Sequence, residues 1–256
     1  MLISHELPKQ LLPYHRLIND YPYILGHLIS IDKEYANFYK QVIKDHTYSI
    51  FDNSAFELGK AIDSKELFDL AIEYKPSHLV LPDTLHDYKQ TLERSLDFVK
   101  RYKSGLERAN ITLMGVLQGN SFEELYECFG KYRQNGINNI AIPFDCIKNS
   151  DWHTVRAIFF KEFCEQYEWA GNIHFLGITN PSELLLYTEE EKERIFSIDT
   201  SSPIVNGWVG NEYGEYGLFG EKPKVKLADS LNIKLSDEQI NRINKNVKMF
   251  RNYAER

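Results

Sequence analysis

Short runs that are apolar at nearly every position alternate along the chain with longer stretches in which apolar residues recur at helical spacing. The runs lie at 23–29, 48–52, 78–81, 111–117, 139–143, 173–177 and 195–198. A strand with one wet face alternates polar and apolar residues, whereas a run that is apolar throughout suits a parallel strand covered on both faces. Between the runs, Leu92, Leu96, Val99 and Tyr102 keep helical spacing, as do Trp152, Val155, Phe159 and Phe163. Asp63 with Glu66, Ser121 with Glu124, and Ser236 with Gln239 form capping-box pairs at helix starts. Asn180, Pro181 and Glu183 read as N-cap, first and third helical positions. A last helix is expected over 236–253, with Ile240, Ile243, Val247 and Phe250 turned inward.

Strand–helix alternation of this kind implies parallel βαβ units. Seven strands are visible in the pattern, and the eighth is expected from 217–219 or 225–227. No GxGxxG or P-loop follows the early strands, which favours a closed (β/α)8 TIM-barrel-like fold over an open doubly wound sheet. The 256 residues fit one such barrel, and no repeat or linker divides them, so a single barrel domain over 1–256 is expected. The segment 207–220 stands apart, with glycines at 207, 210, 214, 217 and 220 among Trp208, Tyr213, Tyr216 and Phe219. It reads either as a lid over a ligand or as an ordinary surface connection.

Composition narrows the setting. Apolar residues make up 43% of the chain and charged residues 26%, as in a soluble globular protein. No apolar run reaches the length of a membrane span, and the first ten residues lack the apolar stretch of a signal peptide. Cys128, Cys146 and Cys164 are isolated from one another, which suggests buried free thiols, a cytoplasmic location and no zinc site of common spacing. The net charge of −7 argues against a basic nucleic-acid footprint over the whole surface. A local patch remains on the last helix, at Arg242, Lys245, Lys248 and Arg251, where a solvated charged face is the competing reading.

In a barrel of this type the active site lies at the C-terminal ends of the strands. The residues that finish the runs are Asp52 and Asn53, Asp83, Gln118 and Gly119, Asp145, Gly177, and Asp199. One such aspartate is ordinarily a helix N-cap, and Asp83 before Thr84 can be read that way. Aspartates at several successive strand ends point instead to one shared mouth. These residue types suit glycosidic C–N chemistry: one carboxylate meets the anomeric carbon, a second moves protons, and further carboxylates and amides read a base edge. Phe56, four residues after Asp52, is spaced to stack on a base, and a core position is its competing reading.

The ordered set Asp52-Asn53-Ser54-Ala55-Phe56-Glu57, Pro82-Asp83, Gly115-Val116-Leu117-Gln118-Gly119, Leu176-Gly177-Ile178 and Ser197-Ile198-Asp199 resembles the tRNA-guanine transglycosylases and their relatives that insert 7-deazaguanines into DNA. The resemblance implies base exchange on a (β/α)8 barrel. It gives Asp199 as nucleophile, Asp52 as general acid/base, Phe56 as the stacking ring, and Asp83, Gln118 and the Gly177 backbone at the base; Gly119 and Asp145, at strand ends of the same mouth, are further candidates for base contact. Guanine or a 7-deazaguanine would be the base, with DNA preferred over tRNA as acceptor. No cofactor or metal is implied, and a homodimer or a partner subunit is compatible with the family. The chain departs from the family's first motif, which has two glycines and a glutamine where Ser54, Ala55 and Glu57 stand here, and it lacks the cysteine-rich zinc site. A non-catalytic barrel that binds a nucleobase, nucleotide or nucleic acid, and a nucleoside or nucleotide N-glycosidase, are the alternatives. An unrelated barrel lyase or aldolase would need a lysine or a metal cluster, and no lysine finishes a run.

Overall fold

The computed structural model describes residues 1–148, 152–168, 171–218, 223, 225 and 227–255. Eight parallel strands are wrapped into a nearly closed barrel with helices around it: β1 (Leu2–His5), β2 (Tyr23–Leu25), β3 (Ile50–Asp52), β4 (His78–Val80), β5 (Thr112–Val116), β6 (Asn139–Pro143), β7 (Ile173–Leu176) and β8 (Ile195–Thr200). Neighbours pair in chain order from β2 to β8, and β8 then pairs with β1. The (β/α)8 expectation therefore holds. Among the described residues no helix is long and apolar enough to cross a membrane.

Two strand expectations are corrected. The eighth strand is Leu2–His5 at the N-terminus, paired in register with Ser197–Thr200, and does not come from 217–219 or 225–227. Ser4 and His5 break the apolar pattern of this short segment, yet both are fully buried. Phe219, Gly220 and position 226 lie outside the described residues, as does the side chain of Trp152. The run 23–29 is divided: the strand stops at Leu25 and Gly26–Ile31 is helical. An unbroken apolar run satisfies both periods, so it cannot show where one element gives way to the next. Gly26 sits at that junction, where a Cβ would lie 2.8 Å from both the Asp52 carbonyl oxygen and the Phe51 ring.

β1 and β2 form the seam of the barrel. Asp20 N–H donates to the Ile3 carbonyl at 2.9 Å, and Ser4 Oγ donates to the Tyr21 carbonyl at 2.8 Å. The Asn19 amide does the work of a missing strand residue: it accepts from the His5 N–H at 2.7 Å and donates to the His5 carbonyl at 2.9 Å.

The helix caps are simpler than expected in two of three cases. Asp63 accepts from Lys65 N and Glu66 N, but the Glu66 carboxylate accepts from Ser30 Oγ. Ser121 caps Glu124 N, while the Glu124 carboxylate takes the Asn120 N–H. Ser236 and Gln239 close the full reciprocal box ahead of the last helix, Asp237–Glu255. That helix packs on Ser202–Val209 and sets Phe250 edge-on to His5, ring centroids 5.7 Å apart. The described part of the glycine-rich segment is tied down: Tyr213 OH donates to Ser202 Oγ, the Tyr213 N–H donates to Asn246 Oδ1, and Leu218 is bound at both backbone groups by Asn180. This supports a fixed connection over a hinged lid. Cys128 and Cys146 are buried, whereas Cys164 is only half-buried.

The seam yields a stability prediction. Asn19→Ala leaves two buried backbone groups of His5 without partners and is expected to lower unfolding free energy by about 2–4 kcal/mol in urea titration. A loss below about 0.5 kcal/mol would show that the seam is held elsewhere.

Candidate functional site

β3 ends on Asp52, and β8 carries Asp199 one residue before its end, so both carboxylates stand at the C-terminal mouth. Both are buried, at 8% and 3% exposure. Burial, added to by the charges of Asp83 and Asp199, pushes the Asp52 carboxyl up to about 7, against the opposing effects of the Ser54 N–H and the Tyr23 hydroxyl. Ser54 N–H reaches Asp52 Oδ2 at 2.7 Å. It can do so because Ser54 adopts φ 63, in the left-handed region that favours glycine. The Ser54 Oγ accepts from the His27 N–H at 3.1 Å, a contact that glycine, the residue this φ favours, could not make.

Asp199 is gripped at one oxygen. Its Oδ1 accepts from the Gly177 N–H at 3.0 Å and lies 3.1 Å from His174 Nε2. Among the described residues no donor reaches Oδ2. Gly177 is held in turn at φ +68, with a Cβ position only 2.9 Å from the Phe144 ring. Its carbonyl accepts from Arg156 Nη2 at 2.7 Å. Arg156 is fully buried, and its other donors go to Glu183 at 2.7 and 2.8 Å and to the carbonyls of Ile142 and Leu176. One guanidinium thus ties the ends of β6 and β7 together.

Asp83, Gln118 and Asp145 belong to one hydrogen-bonded line. Asn53 Nδ2 donates to Asp83 Oδ1 at 2.8 Å, and Gln118 Nε2 donates to Asp83 Oδ2 at 2.7 Å. Gln118 Oε1 accepts from the His86 N–H at 2.9 Å, and His86 Nε2 meets Asp145 Oδ2 at 3.1 Å. Asp83 is therefore no helix cap; Asp87 caps the following helix, Tyr88–Arg108. Burial raises the Asp83 carboxyl, and the Asn53 and Gln118 amides oppose it. The contact with Asp145 raises His86. Phe56 is 48% exposed and edge-on to Phe144, with centroids 5.4 Å apart, so its core reading is corrected: it stands open at the surface. Gly119 pairs with Ile147 in an isolated bridge beside this line.

Sequence reasoning missed Tyr23, His174, Arg156, Phe144 and His86. Tyr23 and His174 lie inside apolar runs, and their rings stack across the barrel with centroids 5.7 Å apart. Among the described residues no group of three or more His, Cys, Asp or Glu side chains is placed to hold a metal ion. The basic patch on the last helix is largely paired: Arg242 with Glu212 and Glu238, Lys245 with Glu212, and Arg251 with Asp20. Comparison of the chain with protein-family models and with curated proteins gives no match.

The raised Asp52 carboxyl predicts a pH-dependent stability. The folded state holds this proton up to about pH 7, whereas the unfolded chain releases it near 3.8. The stability gained is full below the lower value and is lost as pH rises through the upper one. Asp52→Asn keeps an acceptor for Ser54 and carries no charge. It is expected to raise the thermal midpoint at pH 8 and leave it nearly unchanged at pH 4; equal shifts at both would contradict the raised carboxyl.

Proposed function

We propose that this barrel is a transglycosylase that exchanges a guanine-type base at an N-glycosidic bond in nucleic acid, with 7-deazaguanine insertion into DNA as the preferred form and tRNA as the other acceptor. The observation that supports it most is the inequality of the two buried carboxylates. Asp52 is poised to hold a proton near neutral pH, and Asp199 presents one gripped and one open oxygen. A proton donor and a nucleophile at one mouth are what base displacement needs.

Asp199 Oδ2 attacks the anomeric carbon as the C–N bond breaks, forming a glycosyl ester. Asp52 gives its proton to the departing base. An incoming base then returns a proton to Asp52 and attacks the anomeric carbon, which frees Asp199 with net retention of configuration. Asp83 and Gln118 are fixed by each other and by Asn53 and His86, which leaves their remaining acceptor and donor positions set in advance for a base edge. Phe56 offers an exposed ring for stacking.

The acidic net charge and the paired cations of the last helix favour a second reading, an N-glycosidase acting on a free nucleoside or nucleotide. The two are separated by incubating labelled guanine or 7-deazaguanine with duplex DNA, single-stranded DNA and bulk tRNA, and by following base release from nucleosides and nucleotides. Incorporation into a polymer is expected, reduced more than about a thousandfold by Asp199→Asn. Phe56→Ala is expected to raise the KM for the base about tenfold. Release from small substrates without incorporation would establish the glycosidase instead.

A further inference from the structure

A buried chain of side chains reaches Asp199 from across the barrel. Tyr48 OH lies 2.7 Å from Ser197 Oγ, Ser197 Oγ lies 2.8 Å from His174 Nδ1, and His174 Nε2 lies 3.1 Å from Asp199 Oδ1. Tyr48 precedes β3 while Ser197 belongs to β8, and these strands are not neighbours in the sheet, so the first contact crosses the interior. All four residues are buried. The base exchange described above uses the His174 contact with Oδ1 but makes no use of Tyr48 or Ser197.

Counting hydrogens gives the chain one direction. Among the described residues the Tyr48 hydroxyl has no acceptor other than Ser197 Oγ, so Tyr48 donates and Ser197 Oγ accepts. The Ser197 hydrogen is then left for His174 Nδ1, which accepts it, and the ring hydrogen stands on Nε2, toward Asp199 Oδ1. Burial keeps the Tyr48 phenol protonated far above neutral pH. The reverse order would leave the Tyr48 hydrogen without an acceptor among the described residues. Stacking on Tyr23 fixes the plane of the His174 ring.

We propose that His174 is a positioning residue for Asp199, held as its Nε2–H tautomer by Ser197 and Tyr48, so that Oδ1 is pinned between His174 and Gly177 and Oδ2 alone faces the anomeric carbon. The role given to Oδ2 rests on the base-exchange reading; the tautomer and the grip on Oδ1 do not.

Two measurements test it. Nitrogen-15 NMR of histidine-labelled protein at neutral pH is expected to show His174 protonated at Nε2 and bare at Nδ1. Single-turnover kinetics are expected to show His174→Leu slowing glycosyl-ester formation on the order of ten- to a hundredfold with KM unchanged, with His174→Gln, whose amide N–H lies near the Nε2 position, restoring most of the rate. Ser197→Ala, which removes one buried atom, is expected to fall between wild type and His174→Leu. An Nδ1–H tautomer would overturn the proposal, as would a His174→Leu protein with the wild-type rate of ester formation. If no acceptor supports exchange, the base-exchange reading fails by itself, and the NMR spectrum still decides the chain.

Discussion

Asp52 and Asp199 are two carboxyl groups buried at one barrel mouth, close enough for the charge of Asp199 to help raise the Asp52 carboxyl, and most of what surrounds them answers that constraint. Like charges taken out of water cannot both be held cheaply. Asp52 meets the cost by keeping a proton toward neutral pH, and Asp199 meets it through two contacts at a single oxygen. The barrel supplies both solutions from strand ends brought together by closure, so neither could exist on an isolated β-strand or hairpin.

The supports beneath the carboxylates fix the backbone groups that hold them. Arg156 satisfies its donors on Glu183 and on three backbone carbonyls, which places the Gly177 N–H below Asp199. A buried ion pair of this kind contributes little to stability in itself, but it fixes geometry where a hydrophobic replacement would not. Ser54 accepts backbone strain to aim its N–H at Asp52. Both cases place the energetic cost next to the site, where preorganisation uses it.

Much of this was legible in the sequence, for a definite reason. Apolar runs mark parallel strands, and the polar residue that ends each run must emerge at the same face of the barrel. Asp52, Asp83, Gln118, Asp145 and Asp199 were found that way. The supporting residues were hidden by the same pattern. His174 and Tyr23 sit within runs read as uniformly apolar, and their polar atoms matter only because the barrel brings partners from other strands. Arg156 sits on a helix, and its role depends on Glu183, 27 residues later, which no local pattern connects to it. β1 was missed because Ser4 and His5 are polar, although closure of the barrel buries them.

The most direct test is to map the covalent intermediate. The protein, incubated with an acceptor and quenched in acid before a second base can enter, is digested and its peptides are weighed by mass spectrometry. The nucleophilic role proposed for Asp199 predicts a glycosyl adduct on the peptide that carries it, absent from Asp199→Asn. An adduct on any other residue, or turnover with no adduct at any time, would contradict it.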